Sequence, residues 1–349
     1  MRTSYREDDV ILLLKDITGL VQPQPTEERE RLIQAGRHYC EMLPIEYVPT
    51  DKYMEIYRRA LEDYSGDVAD AVGILAEKVI SARGKDVVLV SLARAGIPIG
   101  ILLKRYIKFR YGYDVKHYSI SIIRGRGIDK NAMKYLLSLY PAESLLFVDG
   151  WVGKGAILGQ LREALKEFDG VSPDIAVAAD PANVTELCGT HEDILIPSSC
   201  LNSTVSGLVS RTFLRDDIIG KDDFHGAVYY GELKDSDISY QFIEAIEAKF
   251  RKNIPAISDT GSGSGIEEVR GIAEHFGIGD INLVKPGIGE TTRVLLRRVP
   301  WKILVSREYS DDPRLAPVIR LAEEKGVEVV SYPLNAYRCC GIIKKMADT

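Results

Sequence analysis

Short apolar runs closed by small or turn-forming residues, each followed by residues spaced three and four apart, organise the middle of this chain. Val87–Leu92, Leu145–Val148, Pro173–Asp180 and Asp193–Pro197 are continuous enough to be strands buried on both faces, while Tyr118–Ile123 alternates. After Leu145–Val148 the spacing turns helical from about Gly155, with Ile157, Leu161, Ala164 and Leu165 on one face. Strands alternating with helices predict an α/β fold: a parallel sheet with helices on both faces and binding at the strands' carboxyl ends.

Before this region the pattern is helical. Thr26–Tyr39 is charged and helical, and Lys52–Arg83 places Met54, Tyr57, Leu61 and Tyr64 at helical spacing. Ser4–Lys15 reads as a capped helix or a short strand, ahead of a proline-rich break at Val21–Pro25. Residues 1–85 are therefore expected to form a helical hood on an α/β domain at 86–253. A helix at Leu233–Phe250 leads to a Gly/Ser-rich linker at 254–265. A small α/β module at 266–349 follows: helix Ile266–Phe276, strand Ile281–Val284, helix Thr291–Arg298, strand Trp301–Ser306, helix Leu315–Glu324 and strand Val327–Tyr332.

Composition narrows the function classes. The 349 residues are 45% apolar and 28% charged with net charge −6, so the whole molecule is no polycation seeking nucleic acid. Residues 261–349 carry 13 Lys and Arg against 12 Asp and Glu, a net +1 that leaves −7 for the rest. The five cysteines form no CxxC pair, and their odd number argues against a disulfide framework. A reducing cytoplasm is expected. With no apolar stretch of signal or membrane length, no targeting segment or membrane association is expected.

Chemistry concentrates where strands meet small-residue turns. Backbone amides of Trp151, Val152, Gly153, Lys154, Gly155 and Ala156, at a helix start, form an arrangement that binds phosphate. Asp149, ahead of Gly150, can accept bonds from sugar hydroxyls. The second unit, Ser91-Leu-Ala-Arg-Ala-Gly96, adds the charge of Arg94 beside Ala93, Ala95 and Gly96. Arg124, Arg126 and Lys130 lie among glycines in a cationic loop. Ser198, Ser199, Asn202 and Ser203 open a hydroxyl-rich stretch suited to an acceptor pocket. Cys200 and His225 are a candidate nucleophile and base for a peptidase.

These two turns resemble the pyrophosphate and phosphoribosyl-diphosphate (PRPP) loops of type I phosphoribosyltransferases, with Gly150 replacing the second acid and Gly153-Lys-Gly155 replacing Thr-Thr-Gly. Together with Lys15-Asp-Ile17, His38–Pro44, Ser198–Thr212 and Asp223–Ala227, they make nearly the whole chain resemble one bacterial family linked to tellurium-resistance stress operons. That family has been described both as a phosphoribosyltransferase and as cysteine protease StiP. The resemblance implies a type I phosphoribosyltransferase-like fold and transfer between PRPP, with Mg²⁺, and a small-molecule acceptor. Asp149 would face the ribose and indirectly the metal. Arg94, Arg124, Arg126 and Lys154 would neutralise the leaving pyrophosphate. Lys285–Arg298 is similar to the signature of Pelota and kink-turn-binding proteins, implying RNA contacts from Gly287, Glu290, Arg293 and Arg297. A cysteine peptidase and a non-enzymatic RNA-binding protein stay open, as does a homodimer.

Overall fold

A computed structural model describes residues 1–46, 48–254 and 264–345. A six-stranded parallel sheet runs in the order Ile11–Leu12, Lys116–Ile120, Val88–Leu92, Leu145–Trp151, Ile175–Ala179, Cys188–Thr190. Its central strands are mostly apolar because both faces are covered. Leu89, Leu146, Val148, Ala176 and Ala178 pack in one layer, and Val88, Val90, Phe147, Ile175 and Val177 in the other. Helices Asp51–Arg83, Gly96–Tyr111 and Ser239–Glu247 cover the first face. Lys130–Leu139 and Ala156–Leu165 cover the second.

The long helix starts where the Thr50 side chain accepts the Tyr53 N–H and stops at Gly84, whose φ of +72° side chains rarely adopt. The amino-terminal part is more than a helical hood. Ile11–Leu12 forms an edge strand beside Lys116–Ile120, and Lys15–Asp16 pairs with Gly226–Ala227. The strand expected at Asp193–Pro197 is absent. Cys188–Thr190 takes the outer place in the sheet, Asp193 is drawn to the second domain, and Pro197–Cys200 is a 3-10 turn. The helix expected over Leu233–Phe250 begins only at Ser239, after a 3-10 turn at Gly231–Ser236. Apart from Ile254, Ser264 and Gly265, the Gly/Ser linker lies outside the described residues.

The second domain has a four-stranded sheet in the order Val284–Pro286, Cys339–Ile343, Pro300–Ser306, Glu328–Tyr332. Helices Gly265–His275, Ile288–Arg297 and Ala316–Glu324 accompany it. Cys339–Ile343, unassigned from sequence, runs antiparallel to both neighbours. Ile281–Leu283 is a 3-10 turn rather than the start of a strand.

Helix Ile288–Arg297 faces the first domain. A Cβ on Gly289 would lie 2.4 Å from the Trp151 ring, so only glycine permits this approach. Asp193, 6% exposed, accepts the Ile288 N–H at 3.0 Å with one carboxylate oxygen and the Arg338 N–H at 2.9 Å with the other. The Arg338 guanidinium returns bonds to the Asp193 carbonyl, Asp312 and Glu192.

Asp193→Asn should test this junction. Exchanging one acceptor oxygen for an NH₂ leaves a buried N–H unpaired, costing roughly 1–3 kcal/mol, measurable by urea denaturation at neutral pH. Burial also raises the Asp193 carboxyl from its ordinary 3.8 to about 6. The folded state therefore holds that proton longer than the unfolded chain. This contribution to stability is full below the ordinary value and is lost as pH rises through about 6. The variant's stability should fall less steeply across that window.

Candidate functional site

A cleft of about 1150 Å³ lies between the two domains. The first strand–turn–helix unit forms its floor. Asp149 and Trp151 end the strand, and Gly155, at φ +80°, opens helix Ala156–Leu165. The loop between them is engaged with the second domain. The Tyr337 hydroxyl donates to the Gly153 carbonyl at 2.7 Å, and Lys154 Nζ donates to the carbonyls of Ile281 and Val284 at 2.7 and 2.9 Å. Glu290 packs so closely that a Cβ on Gly153 would sit 3.1 Å from it. Its carboxylate disfavours phosphate at this loop. Burial pushes the Lys154 ammonium down to about 8 and the Asp149 carboxyl up to about 6. One Asp149 oxygen accepts the Gly150 N–H at 2.7 Å.

The second unit is equally committed. Arg94 donates to the Val209 carbonyl at 2.6 Å and pairs with Glu46 at 3.1 Å, with both side chains largely buried. Small residues here serve packing between the two turns. A Cβ on Gly96 would lie 2.4 Å from the Val148 carbonyl oxygen, and Gly150 faces the Ala95 backbone. The cationic loop is partly a hairpin, Ile122–Ile123 with Gly127–Ile128. Arg126 pairs with Glu41 at 3.0 Å, while half-buried Arg124 lines the cleft. Asp149, Arg124 and Lys154 thus share one cleft, whereas Arg94 and Arg126 are tied to carboxylates.

Of the expected acceptor residues, Ser203 and Asn202 are engaged within the protein, whereas the buried Ser199 hydroxyl has no hydrogen-bond partner among the described residues. Ser203 donates to Glu46 from its N–H and hydroxyl, each at 3.3 Å, and Asn202 accepts from Arg297. Ser199 is buried, and Ser198 is half-buried. Of the expected RNA contacts, Gly287 opens helix Ile288–Arg297 at φ +86° and Glu290 turns inward. Arg293 lies 4.4 Å over the Trp151 ring and pairs with Glu290, and Arg297 meets Asn202. The helix that resembled an RNA contact is therefore a domain junction. Among the described residues, no three His, Cys, Asp or Glu side chains are grouped to hold a metal ion. Asp149 is followed by Gly150, so the paired acids expected near Mg²⁺ are not both present.

Cys200 and His225 do not meet. Cys200 is fully buried, with its carbonyl accepting from Tyr53, and burial pushes its thiol up to about 12. The His225 ring instead lies 2.9 Å from the Ser121 hydroxyl, and the His225 backbone N–H donates to Asp129. Two other cysteines do face imidazoles. Cys40 Sγ is 2.9 Å from His38 Nδ1, but that nitrogen also accepts the Cys40 N–H as a turn cap, and burial raises the thiol to about 11. Cys188 Sγ lies 3.4 Å from His191 Nε2, while His191 Nδ1 is 2.9 Å from the Asp180 carbonyl oxygen and 3.6 Å from its carboxylate. Asp180 ends strand Ile175–Ala179, and Cys188 lies on the neighbouring strand. The sequence signal for this group is Cys188-x-x-His191, separated by residues 180–187 from the small-residue strand Ile175–Ala179.

Cys200 should resist iodoacetamide in the folded protein at pH 8 and react only on unfolding. Peptide mass spectrometry before and after denaturation checks this; rapid native labelling at Cys200 would contradict its burial.

Residues 3–247 match the family described as tellurite-like stress resistance cysteine protease StiP, and residues 263–345 match the PELOTA RNA binding domain. A relative from Acinetobacter baylyi, named cysteine protease StiP, is 35% identical over 363 residues, spanning 98% of this chain and 94% of its own. A hypoxanthine-guanine phosphoribosyltransferase structure from Bacillus anthracis covers 35% of this chain and 71% of its own, at 17% identity and TM-score 0.26. A hypothetical protein from Neisseria gonorrhoeae with bound ppGpp covers 41% and 74%, at 18% identity and TM-score 0.23. Such scores carry no argument. The expectation of a PRPP-dependent phosphoribosyltransferase is therefore corrected: the family match and the relative both bear a cysteine-protease name. Among the described residues, no helix is long and apolar enough to cross a membrane. The chain belongs to the StiP family of tellurite-like stress resistance cysteine proteases, an enzyme family, and carries a PELOTA RNA binding domain match on residues 263–345.

Proposed function

We propose that the chain is a cysteine peptidase whose nucleophile is Cys188, with His191 as base and Asp180 orienting the imidazole. The observation that carries this reading is the grouping of contacts: Cys188 Sγ lies 3.4 Å from His191 Nε2 and 3.8 Å from Nδ1, and Asp180 holds Nδ1. This is the relation a thiol nucleophile needs. Nδ1–H donates to the Asp180 carbonyl, so Nε2 is the nitrogen that takes the thiol proton once the ring turns its lone pair toward sulfur. Lys78 Nζ, 4.0 Å from Sγ, favours the thiolate. The family name supports the reaction class.

In the proposed reaction His191 takes the thiol proton as Sγ attacks the peptide carbonyl carbon. The C–N bond then breaks as the imidazolium protonates the leaving amine. Water, deprotonated by the same imidazole, hydrolyses the thioester and restores the thiol. Cys188 is fully buried and His191 largely covered, so a peptide reaches them only after this corner of the sheet opens.

Cys188→Ala should lower peptidase turnover by roughly 100-fold or more, whereas Cys200→Ala stays within a few-fold of wild type. Asp180→Asn keeps the carbonyl that holds Nδ1 and removes the carboxylate charge 3.6 Å away, so it should shift the pH profile of turnover. Cleavage of a peptide library read by mass spectrometry, with melting curves verifying that each variant folds, provides the measurement. Full turnover without Cys188 removes the assignment.

A second reading concerns the PELOTA match: the second domain binds RNA, with helix Ile288–Arg297 turned away from solvent. Filter binding by the full chain should weaken steeply with rising salt as phosphate contacts release counterions. A salt-insensitive signal removes this reading.

A further inference from the structure

The cleft contains more buried positive charge than its neighbouring acids engage. Arg29, on helix Thr26–Gln34, is 2% exposed and borders the cavity. Its Nε has no hydrogen-bond partner, and no side-chain hydrogen bond from its guanidinium is found among the described residues. The adjacent carboxylate, Glu30, is engaged by Arg298 at 2.6 and 2.8 Å. Half-buried Arg211, which also lines the cleft, donates to the Tyr39 carbonyl and lies 4.7 Å over that ring, with its Nε also lacking a partner. Burial and the charge of Arg29 push the Arg211 guanidinium down to about 9. A buried guanidinium whose adjacent carboxylate is engaged elsewhere is costly, so Arg29, with half-buried Arg211 in the same cleft, points to a ligand that supplies the counter-charge.

The mouth of the same cavity adds an aromatic surface. Trp301, 39% exposed, stands edge-on to Phe276 at 6.0 Å, and Phe276 lies 5.7 Å from Tyr332. Lys302 lies over Trp301, and exposed Lys344 and Lys345 border the opening. Exposed rings among cations stack single-stranded bases and hold their backbone. A pocket of about 1150 Å³ suits a strand end rather than a duplex.

We propose that the interdomain cleft holds the phosphorylated end of a single-stranded RNA, with Arg29 and Arg211 on the terminal phosphate and Trp301 stacked on a neighbouring base. This rests on the RNA-binding reading of the second domain. It places the contact on the cleft and its aromatic rim instead of on helix Ile288–Arg297.

Fluorescence anisotropy with the full chain tests the site, using unstructured oligonucleotides of about eight bases labelled at the opposite end. Oligomers ending in 5′-phosphate, 3′-phosphate or only hydroxyls are compared. One phosphorylated form should bind roughly tenfold or more tightly than the hydroxyl form. Arg29→Gln should remove that preference while sparing the hydroxyl form, and Trp301→Ala should weaken every oligomer by roughly tenfold. If melting curves show that Arg29→Gln disturbs folding, Arg124→Gln at the half-buried cleft wall should still reduce the preference. Equal binding of all ends, or RNA binding unaffected by Trp301→Ala, overturns the site and leaves the RNA reading standing. A free mononucleotide that displaces RNA at equal concentration assigns the cleft to a small nucleotide instead. Displacement by polyglutamate assigns it to an acidic peptide. No binding by any oligomer overturns both readings.

Discussion

The Asp193 carboxylate is buried where the two domains meet, accepting one N–H from the start of helix Ile288–Arg297 and another from Arg338. Those bonds align the helix with the first domain, and the missing side chain of Gly289 lets it reach Trp151. Glu290 then falls beside Gly153, and Arg293 lies over Trp151. The turn that reads as an open phosphate loop is thereby floored with carboxylate and lysine–carbonyl contacts. Arg29 and Arg211 line the same cleft.

Burial alone makes the cysteines poor nucleophiles. It raises the thiols of Cys40, Cys200 and Cys340 to about 11, 12 and 12. What differentiates Cys188 is its electrostatic setting: an imidazole steadied by Asp180 and a lysine ammonium within 4.0 Å. Cys40 also has a close imidazole, but His38 holds the backbone of its own turn. Proximity of Cys and His therefore does not suffice; the imidazole must also be oriented by a further group.

Family membership and chemistry answer different questions here. The StiP match spans residues 3–247, and the PELOTA match follows it, so the two descriptions occupy different lengths of chain. Placing their surfaces requires the contacts between those lengths. One helix that would face solvent in the isolated second domain is covered in the full chain, leaving Trp301, Lys344 and Lys345 toward the cleft mouth.

The local pattern determined the parallel α/β core. Leu145–Val148 and Ile175–Ala179 are apolar throughout, and Val88–Leu92 apart from Ser91, because helices cover both faces, and helical spacing marked Asp51–Arg83. The roles of Arg94, Ser203, Arg297 and Asp193 were not legible because each depends on a partner distant in sequence: Glu46, Glu46, Asn202 and Ile288 respectively. Cys339–Ile343 escaped assignment because its short Cys-Cys-Gly-Ile-Ile run becomes a strand through pairing on both sides. Cys188 and His191 are close in sequence, yet Asp180 arrives from the adjacent strand, so the oriented imidazole exists only after the sheet has formed. Local periodicity specified which segments bury apolar surface. Tertiary structure decided which charges meet, because ion pairs and hydrogen bonds depend on distances that the order of residues does not encode.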